Sequence, residues 1–203
     1  MGNNKKVEIG FKFQVSSFKN GLTLIELLVA VTMFSSVMAA VVGIFTATVR
    51  GQARSLASQQ LLNQTSFCME YTGRALRMAK KDTAGTCTGT ANLNYVKTRD
   101  GNGIKFLNYQ DECQEFYWAT TTDTSKLKEK IGSRDAVELT SDKLEVISFN
   151  IGPDDSWEQG DTEQPRVTIF LDIKGKGEGV KPVEQPRIKI QTMVSQRNLD
   201  TTE

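Results

Sequence analysis

The sequence predicts an α+β chain: one long N-terminal helix, membrane-spanning in its first half, with an antiparallel β-sheet head packed on its second half. Three observations predict it. Residues 22–49 form a 28-residue apolar run whose only ionisable side chain is Glu26. Downstream, apolar residues recur at steps of three and four, and all four prolines (Pro153, Pro165, Pro182, Pro186) lie beyond the first 152 residues, where they cannot break that helix. Later still the pattern changes to alternation, the period of a half-buried strand.

Composition sets the outer limits. At 203 residues the chain suits one ordinary domain with an appendage. Lysine and arginine total 25 against 24 acids, so no global charge draws in nucleic acid or a membrane surface. Histidine is absent, which excludes His-based triads, His-ligated zinc or haem, and a His general base.

The elements follow in order. Residues 1–21 read as a cytoplasmic leader, with Lys5, Lys6, Lys12 and Lys19 against Glu8. The positive-inside rule keeps that flank in the cytoplasm and puts everything after Arg50 outside. As a helix, residues 22–49 are about 42 Å long, against roughly 30 Å of bilayer hydrocarbon. The run is too long for the apolar core of a secretory signal and fits an uncleaved signal anchor, except for Glu26. An acid at the centre of a membrane helix costs roughly 2.5–3.5 kcal/mol, less near an end, unless a cation partners it.

Residues 50–82 continue the helix as an amphipathic half, expected to end near Lys80. Leu61, Thr65, Cys68, Thr72, Ala75, Leu76 and Ala79 share one face, and Asn63, Ser66, Glu70, Arg74, Arg77 and Lys81 the other. Glu70 and Arg74 form an (i, i+4) pair. After a loop at 82–89, residues 83–203 form the β-rich head, with strands expected at 104–109, 115–119, 137–139, 144–151, 166–174 and 187–196. Of the three cysteines, Cys87 and Cys113 sit in or beside polar loops, and Cys68 sits on the apolar helix face. Outside the cytoplasm a disulfide is permitted. The expected pair is Cys87–Cys113, worth about 3–4 kcal/mol in the chain-entropy model, with Cys68–Cys87 as the rival.

Short matches carry less. Ser125-Lys126-Leu127-Lys128 spells S-x-x-K, but in a Thr/Ser/Lys-rich stretch read as loop and without companion motifs. Gly175-Lys176-Gly177-Glu178-Gly179 is a turn, because Pro182 follows where a dinucleotide site needs a helix. Asp154, Asp155, Glu158, Asp161 and Glu163 match no defined calcium loop and read as a solvated acidic loop; no metal is expected.

Gly21-Leu22-Thr23-Leu24-Ile25-Glu26-Leu27-Leu28-Val29-Ala30, behind the basic leader, resembles the cleavage and methylation motif of type IV pilins and type II secretion pseudopilins. The resemblance implies a structural subunit, not an enzyme, and no cofactor. A membrane prepilin peptidase would cut between Gly21 and Leu22 and methylate the new Leu22 amine. Gly21 would let the scissile backbone enter the peptidase without a side chain in the way. Glu26 would neutralise the Leu22 amine of a neighbouring subunit and set the register of a filament. Gly43 stands where many pilins carry a helix-kinking proline, and marks a point for helix melting on assembly. The first mature residue is Leu rather than the usual Phe.

Implied partners are the peptidase, other pilin or pseudopilin subunits, an inner-membrane assembly platform and membrane lipid. The implied location is the cytoplasmic membrane, crossed once with the head outside, and then a filament. Size, the late strands and the ending at 190–197 look most like a minor pseudopilin of the J or W kind. Without the leader the chain keeps 21 basic and 23 acidic residues, so nucleic acid is not an expected partner. Two alternatives stand behind this reading. One is a competence pseudopilin using Arg74, Arg77, Lys80 and Lys81 to touch DNA. The other, ranked last, is an enzyme on an uncleaved anchor.

Overall fold

A computed structural model describes residues 23–121, 124–157, 164–176 and 185–197. The chain divides into two units, residues 1–46 and 47–203. One helix, α1 (Leu24–Arg77), belongs to both.

In the first unit every described residue of α1 is exposed. Its hydroxyls turn back onto the helix: Thr32 Oγ1 donates to the Val29 carbonyl at 2.9 Å, Ser36 Oγ to Met33 at 2.8 Å, and Thr46 Oγ1 to Gly43 at 2.9 Å. Each of these three side chains is thereby satisfied without water, as an apolar surrounding demands.

In the second unit α1 buries one stripe, Ala57, Leu61, Thr65, Cys68, Thr72 and Leu76. These are steps of three and four, the expected face. Strands β1 (Tyr95–Thr98), β2 (Gly103–Leu107), β3 (Cys113–Thr120), β4 (Ser125–Ile131) and β5 (Val137–Glu138) form an antiparallel meander in sequence order. Strands β6 (Leu144–Ile151), β7 (Arg166–Gly175) and β8 (Arg187–Ser195) form a second antiparallel sheet. The head therefore holds two sheets where one was expected. Alternation marks a strand and its buried face but carries nothing about which strands share a ladder. All six expected strands are present, and β1 and β4 are additional.

Leu61, Leu76, Tyr95, Phe106, Phe116, Phe149, Ile169 and Ile173 anchor one continuous core. The rings of Tyr95 and Trp157 lie 5.5 Å apart, and those of Phe106 and Phe116 5.9 Å. The end of α1 is closed by the head. Tyr95 Oη donates to the Leu76 carbonyl at 2.7 Å, Arg197 N–H to Arg77 at 2.8 Å, and Gln196 Nε2 to Ala79 at 2.7 Å. The Arg77 carbonyl, which the helix end leaves open, is thus taken by a residue far along the chain, and the carbonyls of Leu76 and Ala79 beside it are bonded to the head as well. At Gly152 a Cβ would come within 2.6 Å of Thr168 Cβ, so only glycine lets β7 approach there.

Candidate functional site at the helix N-terminus

The expected site residues fall into three groups. Gly21 and Leu22 lie outside the described residues. Glu26 and Gly43 lie on α1 in the first unit. Cys87 and Cys113 lie in the head, joined to each other by a disulfide with Cα atoms 5.3 Å apart. Cys68 is free and buried, its Sγ donating to the Leu139 carbonyl at 3.3 Å.

At the start of α1, Thr23 precedes the first helical residue and Glu26 sits in the first turn. Thr23 donates twice to Glu26 Oε2, from its backbone N–H at 3.0 Å and from Oγ1 at 3.0 Å. In return, the Glu26 N–H donates to Thr23 Oγ1 at 3.4 Å. This is a reciprocal capping box, satisfying two donors that a helix start leaves open. Both Thr23 bonds fall on Oε2, and Oε1 accepts nothing from the described residues. The carboxylate thus keeps one oxygen for an outside donor while the other holds it in place. Thr23 is the addition to the expected site. Thr-x-x-Glu ahead of an apolar run is a legible signature, overshadowed in the sequence by the oddity of a lone acid.

Around this acid the helix presents only apolar side chains, with Leu24, Ile25, Leu27 and Leu28 all more than half exposed. A window of 18 residues in α1 reaches a mean hydropathy of 2.4 with none of it buried, so by length and composition it can cross a membrane. Gly43 lies inside continuous helix, and a Cβ there would meet nothing within 4 Å.

The head offers less chemistry. Ser125 and Lys126 lie in β4 rather than in a loop, which corrects the expectation for the S-x-x-K stretch. Ser125 accepts from Trp118 Nε1 at 2.7 Å and donates to the Val146 carbonyl, while Lys126 Nζ turns to Asp142 at 3.0 Å. The serine and lysine serve separate structural bonds. Among the described residues no group of three or more Asp, Glu or Cys side chains is placed to hold a metal. Asp154 pairs with Lys97 at 3.1 Å; Glu158, Asp161 and Glu163 lie outside the described residues. In the basic stripe, Arg74 is held by Glu70 at 2.7 Å and Lys80 by Asp111 at 2.8 Å.

Against known proteins, a family model described as the prokaryotic N-terminal methylation motif matches residues 17–42. The matched stretch contains Gly21, Leu22 and Glu26 and ends before the head begins. Comparison with curated proteins and with solved structures gives no match. The motif supports a pilin-like structural subunit, processed by a peptidase and assembled with other such subunits. Its family is structural rather than catalytic, and the apolar helix suggests a membrane anchor.

Proposed function

We propose that this chain is a prepilin whose mature form builds a type IV pilus-like or type II secretion filament through its N-terminal helix. What carries the reading is the methylation motif over residues 17–42, with its one acid, Glu26, in the first turn of an exposed apolar helix. Water adds across the amide between Gly21 and Leu22. Gly21 leaves as a carboxylate, and the freed Leu22 amine takes one methyl group from a methyl donor. A methylated amine still protonates, so it remains a cation at neutral pH.

That cation is the partner Glu26 needs. Thr23 engages only Oε2 of the carboxylate, and Oε1 is open to the Leu22 ammonium of a neighbouring subunit. In a low-dielectric surrounding two opposite charges attract strongly, and an unpaired carboxylate is stranded. Neighbours that satisfy the pair share one axial register, which is what a helical filament requires. Residues 22–49 form the membrane and filament core, residues 50–82 join it to the head, and residues 83–203 lie outside the cytoplasm. Gly43 is the position where the helix gives way on assembly. Within the family, the size of the head and its ending at 190–197 favour a minor pseudopilin of the J or W kind. The pairing of Arg74 and Lys80 with acids weighs against a DNA-uptake role, because a phosphate would have to displace each acid.

Intact mass of the membrane form tests the reading. It should equal the chain from Leu22 onward plus one methyl group. A mature chain that retains residues 1–21 would overturn it. Glu26→Ala should be processed normally yet fail to co-assemble with wild-type subunits, scored by co-purification from sheared filaments.

A further inference from the structure

We infer that the groove between α1 and the β2–β3 hairpin docks an extended, uncharged peptide segment of a partner protein through one apolar side chain and one peptide group. The groove encloses about 450 Å³, within the range of ligand sites. Phe67 and Tyr71 of α1, with Met78 just beyond its end, line one side, and Tyr109 and Ile131 belong to the strands and their loop. Phe67 is 62% exposed, Tyr109 55% and Met78 40%, an unusual concentration of large apolar side chains at the surface of a head.

Two nearly buried amides set the polar pattern. Asn108 is 3% exposed and Gln114 5%, and both line the groove. Gln114 stands opposite Phe106 in the β2–β3 ladder, and Asn108 follows Phe106 by two residues, so the two amides are diagonal neighbours on one face. The Asn108 Oδ1 is filled by the N–H groups of Gln110 at 2.9 Å and Glu112 at 3.0 Å. Its Nδ2 takes no partner among the described residues. Gln114 shows the reverse: Nε2 donates to Glu129 Oε1 at 2.5 Å, and Oε1 takes no partner among the described residues. Glu129 is itself held by the Tyr71 hydroxyl at 2.9 Å, which fixes the Gln114 amide with its oxygen free. Neither the Asn108 Nδ2 nor the Gln114 Oε1 is among the side-chain atoms sealed from solvent without a partner, so both are reachable from the groove. One donor and one acceptor, on diagonal neighbours lining one groove, are the complement of a single peptide C=O and N–H.

Charge and number narrow the ligand further. The two ions that line the groove, Glu70 and Arg74, are paired with each other at 2.7 Å. An uncharged ligand leaves that pair intact, whereas a charged one competes with it. A sugar ring carries more hydroxyls than two amides can satisfy. The inference stands apart from processing at Gly21, so its failure leaves that reading intact.

The test uses the full chain in lipid nanodiscs, titrated with acetyl-Gly-Ala-Leu-Ala-Gly-amide and its counterparts with Met or Phe at the centre. Cellobiose is titrated in parallel. The side-chain amide NMR signals of Asn108 and Gln114 report occupancy. At least one peptide should saturate and shift both amides. Met78→Glu and Phe67→Ser, both at exposed positions, should each weaken it about tenfold or more. N-methylating the central residue of the peptide removes the N–H that Gln114 accepts and should weaken it by about tenfold. Four outcomes overturn the inference: no saturable shift with any peptide, cellobiose shifting the amides in their place, binding indifferent to both substitutions, or self-association of the chain that buries the groove.

Discussion

At the scale of single residues, Asp82 governs the loop that follows the helix. Its side chain is 1% exposed and accepts from the N–H groups of Thr88 at 2.8 Å, Cys87 at 2.7 Å and Thr86 at 3.1 Å, and from Thr88 Oγ1 at 3.1 Å. Burial pushes its carboxyl up, but the donors from Thr88, Cys87 and Thr86 outweigh burial and hold it below the usual carboxylate range. A carboxyl so lowered stabilises the folded state fully above its unfolded value, about 3.9, and the contribution disappears as pH falls through the folded value. Asp82→Asn should therefore lose roughly 2–3 kcal/mol at neutral pH, and the gap from wild type should close as pH falls below about 4. Urea unfolding followed across that range checks both the size and the sign; a gap that widens in acid would refute the assignment. Tyr71 works in the opposite range. Burial first, then the hydrogen bond and charge of Glu129, push its hydroxyl up to about 12. Its contribution is complete below the unfolded value of about 10 and is lost as pH rises toward 12, so Tyr71→Phe should flatten the alkaline fall in stability.

Among elements, α1 changes character along its length, and the change predicts contrasting neighbours. Leu61 is fully buried in the core, whereas Leu62 is 53% exposed. Leu61→Ala should cost about 2–5 kcal/mol through lost burial and the cavity left behind, while Leu62→Ala should stay within about 0.5 kcal/mol. Equal effects by chemical denaturation would mean that the stripe is misplaced. That stripe was legible because apolar spacing of three and four over several turns suits one face of a helix and little else. The Thr23–Glu26 box was legible in principle, since its spacing is local. Strand β4 was not. Its sequence, Ser125-Lys126-Leu127-Lys128-Glu129-Lys130-Ile131, reads as solvated, yet Lys126 is 2% exposed and Glu129 7%. Both tolerate burial because distant residues supply partners: Asp142 and the Thr140 carbonyl for the lysine, Tyr71 and Gln114 for the glutamate. Such partners are tertiary facts with no local signal. Strand β1 has only four residues, Tyr95-Val96-Lys97-Thr98, and the turn after it uses positive φ at Arg99 and Asp100, which sequence gives little reason to expect.

For the molecule as a whole, the covalent link and the core hold different things. The disulfide closes a loop between residues 26 apart and ties the segment after α1 to the first residue of β3. Cys68 instead packs into the core from the helix, 0% exposed, where burial pushes its thiol up to about 11. At neutral pH such a thiol holds almost no thiolate, the reactive form. Three thiol counts therefore separate the roles. The native chain should show no fast-reacting thiol, the chain unfolded without reductant should show one, and the chain unfolded with reductant should show three. A fast thiol in the native state would mean that Cys68 is not enclosed, and a pairing of Cys68 with Cys87 by peptide mapping would mean that the loop is stapled to the helix. Replacing both Cys87 and Cys113 by Ser should lower the stability of the head by about 3–4 kcal/mol in the chain-entropy model. Because residues 1–46 form a unit of their own, the same double substitution should leave processing at Gly21 unchanged. If instead the mature N-terminus failed to appear in that variant, the peptidase would be reading the folded head as well as the leader.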